Sequence, residues 1–366
     1  MNAMADTVRI SEVRANAYTI PSDAPEADGT YAWDSTTIVV AEVLAGGKSG
    51  IGYSFTDRSV AAVVRDALGP LIMGLDAFAI PEIHQAMLRR IRNFGRAGLV
   101  ATAISAVDTA LWDLKAKLLG KPLCMLLGAA REDVPLYGSG GFTSYSLERL
   151  KDQFGNWASQ GFRWVKMKIG SEPEQDPRRV EAARHCIGKV GLFVDANGAY
   201  SRKQALQLAS DFAEMGVEWF EEPVSSDDLE GLRLVRDRAP AGIDIAAGEY
   251  GFDSFYFRRM LDAGAVDVLQ ADATRCLGFT GLMQADALCV ARCMPLSLHC
   301  APALHLHAAL SLRQLRHQEW FHDHARIEHL MFDGAPSPHS GVISADRNRP
   351  GIGLELKMAD VSKYSV

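Results

Sequence analysis

Seven titratable side chains recur at nearly constant intervals along this sequence, each just beyond a short apolar run. Lys168, Asp195, Glu221, Glu249, Asp272, His299 and Glu328 are separated by 27, 26, 28, 23, 27 and 29 residues. The apolar runs, at 134–137, 164–167, 191–194, 219–220, 243–245, 266–269, 296–298 and 326–327, alternate with amphipathic stretches such as 203–215 and 279–291. This alternation predicts parallel strands joined by right-handed helical crossovers. Eight such units closing on themselves make an α/β barrel, whose active-site groups gather at the C-terminal ends of the strands. The recurring side chains are therefore expected at one mouth.

The chain has 366 residues, and a barrel alone takes about 250, which leaves a second, smaller domain. Residues 1–132 read as α+β. Strands over 8–20, 37–44 and 50–55, the last two joined at Ala45-Gly46-Gly47, suggest a meander. A helix follows with Val100, Ile104, Val107, Leu111, Leu114 and Leu118 on one stripe, stopped by Gly120 and Pro122. The barrel is expected over 133–330. The Gly- and Pro-rich segment 331–366 is expected to leave it and pack on the first domain. A net charge of −7 argues against nucleic acid as a partner. No apolar run approaches the roughly 20 residues that span a membrane. Met1 to Ser11 lacks the apolar core of a secretory signal. The six cysteines contain no C-x-x-C, and Cys289 and Cys293, four apart on a predicted helix, read as two buried thiols. A cytoplasmic, reducing location is the simplest reading.

Asp195, Glu221 and Glu249 fall on consecutive predicted strands and make a hard, all-oxygen ligand set suited to Mg²⁺. Without a cation, three such charges would repel and their pKa values would rise. Any one of them alone reads better as a helix cap. Three in succession, within Asp195-Ala196-Asn197-Gly198, Phe220-Glu221-Glu222-Pro223 and Ala247-Gly248-Glu249, point to a metal. Lys166 and Lys168 are two apart on a strand and face the same side. Mutual repulsion and a nearby metal are expected to depress their pKa values, which suits a general base. His299 and Asp272 end adjacent strands, where the carboxylate would fix the imidazole tautomer. A substrate carbon would then have a base on each side. Glu328, expected to end the eighth strand, reads as a contact to a substrate carboxylate with a raised pKa. Pairing with Arg326 or Arg275 is the alternative.

These residues form a recognisable set. Val165-Lys166-Met167-Lys168-Ile169, Val194-Asp195-Ala196-Asn197-Gly198, Phe220-Glu221-Glu222-Pro223, Ala247-Gly248-Glu249, Gln270-Ala271-Asp272 with Arg275, and Leu298-His299 resemble the motifs of the enolase superfamily, specifically its mandelate racemase subgroup. The resemblance runs over essentially the full length. It implies a modified TIM barrel, (β/α)7β, with an N-terminal α+β capping domain and a returning C-terminal segment. It also implies a Mg²⁺ cofactor, a small-molecule carboxylate substrate and a homo-oligomeric assembly. Lysine or histidine bases with Mg²⁺ stabilising an enediolate are the general description of sites in this superfamily. Lys166, Lys168, Asp272, His299 and Glu328 would then carry the chemistry, with Asn197, Glu222 and Arg275 beside the ligands or the substrate. Asp272 stands where muconate cycloisomerases and dipeptide epimerases carry lysine, which points to the mandelate racemase pattern. Leu277 departs from the glycine often found before Gly278.

The resemblance implies abstraction of the proton α to a carboxylate. Its first expected outcome is dehydration of an acid sugar to a 2-keto-3-deoxy acid, and the alternative is racemisation or epimerisation of a 2-hydroxy acid. Residues 21–33, with Tyr31 and Trp33, resemble a mobile cap loop. An ordinary surface loop is the alternative. A zinc hydrolase using His305 and His307, or His322 and His324, is a rival. In a helix, however, a two-residue spacing points the first pair apart. A barrel that binds Mg²⁺ and a carboxylate without turning it over is the non-catalytic rival.

Overall fold

The computed structural model describes residues 7–366. Residues 1–6, on which the reading of a leaderless start partly rests, lie outside them. No helix among the described residues is long and apolar enough to cross a membrane.

Strands β1 (Ile10–Ala27), β2 (Ala32–Ala45) and β3 (Lys48–Phe55) form an antiparallel sheet in that order. Alternation along β2 sorts its side chains onto two buried faces. Val39, Ala41 and Val43 join the core shared with helix α1 (Leu99–Leu118), whereas Ile38 and Val40 join the core shared with the barrel. The helix lies very close to β3: a Cβ on Gly52 would sit 2.1 Å from Thr109 Oγ1 and 2.3 Å from the Ala106 carbonyl oxygen. Only glycine permits that approach.

Segment 21–33, read as a loop, is instead the far end of a hairpin. β1 runs on to Ala27, and a register irregularity between Pro21 and Glu26 absorbs the prolines that look like strand breakers. Asp28 closes the turn, its Oδ1 accepting from Thr30 N at 2.6 Å and Tyr31 N at 2.8 Å.

Eight parallel strands close the barrel: β4 (Asp133–Gly140), β5 (Trp164–Lys168), β6 (Gly191–Asp195), β7 (Val217–Glu221), β8 (Asp244–Ala247), β9 (Val268–Ala271), β10 (Leu296–Leu298) and β11 (Leu315–Phe321), which pairs back onto β4. The eighth strand corrects the sequence reading. Residues 326–327 lie inside helix α3 (His322–Met331). The preceding helix, α2 (Pro302–Ala309), is short, so the strand arrives earlier than the repeat interval suggests.

Inward side chains stack in layers, two residues apart along each strand. Tyr137, Phe193, Trp219 and His317 form an aromatic floor, with Phe193 stacked on Trp219 at 5.1 Å. Two residues further along come Asp195, Glu221 and Glu319, and Lys166 stands two beyond Trp164. The tail divides its contacts. Val342–Ser344 pairs antiparallel with the first residues of β4, Asp133 to Pro135. Ile352 N donates to Asp113 Oδ1 of α1 at 2.7 Å, and Asp113 Oδ2 accepts from Ile51 N at 2.8 Å. Of the two cysteines read as buried, Cys289 is, but Cys293 is exposed. It ends its helix in a left-handed turn, φ 51°.

Leu277 also takes a left-handed backbone, φ 72°, at the start of helix α4 (Gly278–Arg292), α2 and α3 being the two helices after it in the chain. Ser105 Oγ accepts from Leu277 N at 2.9 Å and from Gly278 N at 3.1 Å, and the leucine side chain is buried in the capping-domain core. The backbone cost of a left-handed leucine is about 1–2 kcal/mol, against about 2–5 kcal/mol for emptying a buried leucine site. Leu277→Gly is therefore expected to lower stability, by roughly 2 kcal/mol. Denaturant unfolding checks it; a stabilised variant would contradict this account.

Candidate active site

Lys166 and Lys168 share the inner face of β5, as their spacing predicts. Lys166 is fully buried, with Nζ 2.6 Å from Glu221 Oε1, 2.9 Å from Glu319 Oε1 and 3.4 Å from Asp195 Oδ2. Lys168 Nζ lies 2.5 Å from Asp195 Oδ2 and 3.1 Å from Asn197 Oδ1. The expected depression of the lysine pKa values depends on a metal beside the acids, and the carboxylates by themselves act the other way. Burial does favour the neutral amines, but the surrounding carboxylates, Glu221 foremost for Lys166 and Asp195 for Lys168, outweigh it and raise both.

Asp195 ends β6, Glu221 ends β7 and Glu249 lies just past β8. One oxygen from each lies within 4.8 Å of the others, and all three residues are buried. Among the described residues, Glu249 Oε2 has no hydrogen-bond partner, nor has Oε1 of the neighbouring buried Glu222. Burial and then the charge of Glu249 push the Glu222 carboxyl well up, and burial and then Asp195 do the same to Glu221. A buried acid cluster with unpaired oxygens, exceeding the positive charge of Lys166 and Lys168, fits a hard divalent cation.

On the other flank, His299 Nδ1 donates to Asp272 Oδ2 at 2.9 Å, and Asp272 Oδ1 accepts from Thr274 N at 2.7 Å. Burial opposes ionisation of Asp272, yet the hydrogen bond from His299 and the fields of His305, His299 and Arg275 hold it below the usual carboxylate range. With its Nδ1 proton committed, His299 presents Nε2 to the site, 3.4 Å from Glu249 Oε2. Arg275 Nη1 lies 3.2 Å from Glu249 Oε1. Lys168 and His299 line one cavity of about 520 Å³ with Tyr31, Trp33, Asn197 and Arg275, so the hairpin forms part of its wall. A Cβ on Gly29 would meet the carbonyl oxygens of Ala196 at 2.4 Å and Ile169 at 2.6 Å, so only glycine lets the hairpin tip rest on the barrel rim.

Glu328 does not end a strand. It sits in α3, where Tyr53 Oη donates to its Oε1 at 2.5 Å and Ala303 N donates to its Oε2 at 2.9 Å. It fastens the capping sheet to the barrel helices and does not line the cavity. Glu319, inward on β11, holds the place expected of it: its Oε2 accepts from Cys300 N at 2.8 Å and lies 3.9 Å from His299 Nε2. Sequence reasoning missed this residue. The available signal was the ring-x-acid pattern His317-x-Glu319, which matches Phe193-x-Asp195 and Trp219-x-Glu221. The two histidine pairs do not converge as rival ligand sets. His305 accepts from Ala273 N and contacts the Cys300 carbonyl, His307 accepts from Cys124 N, and His324 stacks on Phe55 while His322 meets Asp23.

A closed barrel with an acid triad between a lysine and an imidazole–carboxylate pair, under an α+β cap, defines a capped barrel of the enolase type. The chain belongs to the enolase superfamily, in its mandelate racemase/muconate lactonizing enzyme family. Residues 13–128 match the model of that family's N-terminal domain, and residues 149–361 match the enolase C-terminal domain-like model. A 3,6-anhydro-alpha-L-galactonate cycloisomerase of Streptomyces coelicolor is 32% identical, over 98% of this chain and 99% of that protein. A mandelate racemase/muconate lactonizing enzyme-like protein from Rubrobacter xylanophilus superposes with a TM-score of 0.96 at 52% identity, covering 98% of this chain and 100% of the other. The L-talarate/galactarate dehydratase from Salmonella typhimurium, solved with Mg and L-lyxarohydroxamate, superposes with a TM-score of 0.91 at 26% identity, covering 100% and 95%.

Burial raises the pKa of Glu328 to about 8. The folded protein therefore holds a proton there that the unfolded chain, at an ordinary 4.5, releases. This contribution to stability is fully present below pH 4.5 and is lost as pH rises through 8. Glu328→Gln keeps the shape and removes the titration. It is expected to flatten the decline in stability between pH 5 and 8, read as unfolding midpoints across that range, and an unchanged slope would count against the assignment.

Proposed function

We propose that this chain is a Mg²⁺-dependent enzyme that removes the proton α to the carboxylate of an acid sugar and expels the β-hydroxyl, giving a 2-keto-3-deoxy acid. One observation carries this reading: the buried triad of Asp195, Glu221 and Glu249 has Lys168 against Asp195 at one end and His299 beside Glu249 at the other, and Lys168, Glu249 and His299 line one cavity. The α-proton of a carboxylate is weakly acidic because its loss puts a second negative charge on the group. Mg²⁺ held by Asp195, Glu221 and Glu249 would supply Lewis-acid stabilisation of that charge.

The chain's own groups move the protons. Lys168 takes the α-proton, an act that requires its ion pair with Asp195 to loosen so that the amine can be neutral. Asn197, its second partner, keeps it aimed during that change. His299, its Nδ1–H held by Asp272, acts from its doubly protonated form and delivers the Nε2 proton from the other flank to the leaving hydroxyl, which departs as water. Burial opposes ionisation of Glu319, but Lys166 and His299 beside it hold its carboxyl below the usual range, so in this reading it takes up a proton to meet the substrate carboxylate, the role earlier given to Glu328. Arg275 holds Glu249 and Asp272 in register. Tyr31 and Trp33 on the hairpin line the cavity and bring aromatic surface to the substrate.

Two of the relatives named above act on sugar-acid compounds by their names, one as a dehydratase and one as a cycloisomerase, which supports the substrate class. A second reading, racemisation or epimerisation of a 2-hydroxy acid, has its own support. Proton-transfer groups on both flanks would let a proton leave one face and return to the other.

The test is a mass-spectrometric screen of mono- and diacid sugars with Mg²⁺, followed by α-proton exchange in deuterium oxide. Loss of water from at least one acid sugar is expected. Lys168→Ala or His299→Asn should each lower turnover by about 10²–10⁴-fold. Exchange with inversion and no water loss would favour the racemase reading. No exchange with any member of the panel would leave a barrel that only binds, and would sink the proposal.

A further inference from the structure

Outside the barrel mouth, a second group of ligand-type side chains joins the hairpin to the barrel. Asp23 and Glu26 come from β1, and His322 is the first residue of α3. One nitrogen or oxygen from each lies within 4.8 Å of the others. His322 Nε2 is 3.0 Å from Asp23 Oδ2. Glu26 is only 1% exposed, and its Oε2 accepts from Trp33 Nε1 at 2.8 Å, but its buried Oε1 has no partner among the described residues.

We propose that Asp23, Glu26 and His322 form a second divalent-cation site, of zinc type, that fastens the hairpin to the barrel. The donor set of one imidazole and two carboxylates selects a borderline transition ion over the hard Mg²⁺ favoured by three carboxylates. Neighbouring ligands about 2.1 Å from such an ion lie roughly 3.0–3.4 Å apart. The His322–Asp23 pair already has that separation, and Glu26, with a ligand oxygen within 4.8 Å of both, would complete the set by moving inward. Two carboxylates neutralise a dication, and the cation supplies the partner that Glu26 Oε1 lacks.

The surrounding charges leave this set available. Arg149 occupies the other Asp23 oxygen, Oδ1, at 3.2 Å. Arg326 is engaged by Asp323 and by the Pro21 carbonyl oxygen, and Asp323 also accepts from Thr36 Oγ1. The Asp323 carboxylate adds negative potential at Glu26. The consequence is mechanical. Glu26 holds the indole of Trp33, which lines the catalytic cavity, so an ion bound here stiffens the hairpin over substrate. This site is independent of the reaction proposed above.

The test uses the full chain dialysed against zinc with Mg²⁺ in large excess, metal content by elemental mass spectrometry and affinity by calorimetry. About one zinc per chain is expected. His322→Ala and Glu26→Gln should each weaken it at least tenfold, and Asp23→Asn, at an exposed position that tolerates change, should do the same without disturbing the fold. Asp195→Asn should leave the zinc in place. Zinc no higher than the blank would overturn the proposal. So would zinc that survives all three substitutions and disappears with Asp195→Asn, since that ion would sit in the barrel's acid triad.

Discussion

The whole barrel interior is organised around the buried ammonium of Lys166. An ammonium taken out of water costs several kcal/mol unless charge partners surround it. Its partners come from three different strands, Asp195 on β6, Glu221 on β7 and Glu319 on β11. That requirement constrains the register of half the barrel, because a one-residue slip of any strand would turn its acid away from the axis. The dependence is mutual. The acids repel one another, and the lysine is what lets them stand together below the cavity. The floor of Tyr137, Phe193, Trp219 and His317 rings beneath keeps water out and makes both the attraction and the repulsion stronger.

Much of this was legible because two periodicities coincide. Within a strand, the period of two sets an aromatic below a charged group, as in Trp164-x-Lys166-x-Lys168, Phe193-x-Asp195 and Trp219-x-Glu221. Between strands, the interval of one βα unit brings those charged groups round to the same end. The barrel, the cap and the positions of Lys166, Lys168, Asp195, Glu221, Glu249, Asp272 and His299 follow from these patterns. Where one periodicity failed, the other was the better guide. The interval pointed to Glu328, 29 residues after His299, whereas the in-strand pattern His317-x-Glu319 marked the true eighth strand. The hairpin was illegible for a different reason. A bulge hides between Pro21 and Glu26, and local composition does not distinguish a bulged strand from a loop. The lysine pKa values were beyond reach because their sign depends on how many acids surround each amine in space.

The cap is attached at points that sequence separation conceals. Tyr53 of β3 bonds Glu328 of α3, Ser54 Oγ donates to the Thr274 carbonyl oxygen behind Asp272, and Ser105 of α1 holds the backbone of Leu277 and Gly278. The last two contacts flank the loop that carries Asp272 and Arg275. The cap therefore supports the loop that orients His299, besides roofing the cavity through Gly29, Tyr31 and Trp33. Leu277 fits this arrangement. A glycine would relieve its left-handed backbone, but the leucine side chain anchors the loop in the capping core.

The two proposed proton-transfer groups differ in a way that bears on the reaction. His299 has its carboxylate partner behind it, at Nδ1, so Nε2 faces the cavity whatever the state of the acid triad. Lys168 has its carboxylate partner in front, since Asp195 is also a member of that triad. The lysine can give up its proton only when Asp195 is drawn into another charge interaction, which the proposed Mg²⁺ would provide. Activation of the lysine is thereby tied to the same oxygens that prepare the substrate carboxylate for a second negative charge. In the proposed reaction the share of neutral lysine and the acidity of the substrate would rise together, so that neither flank would complete the reaction before the triad is engaged.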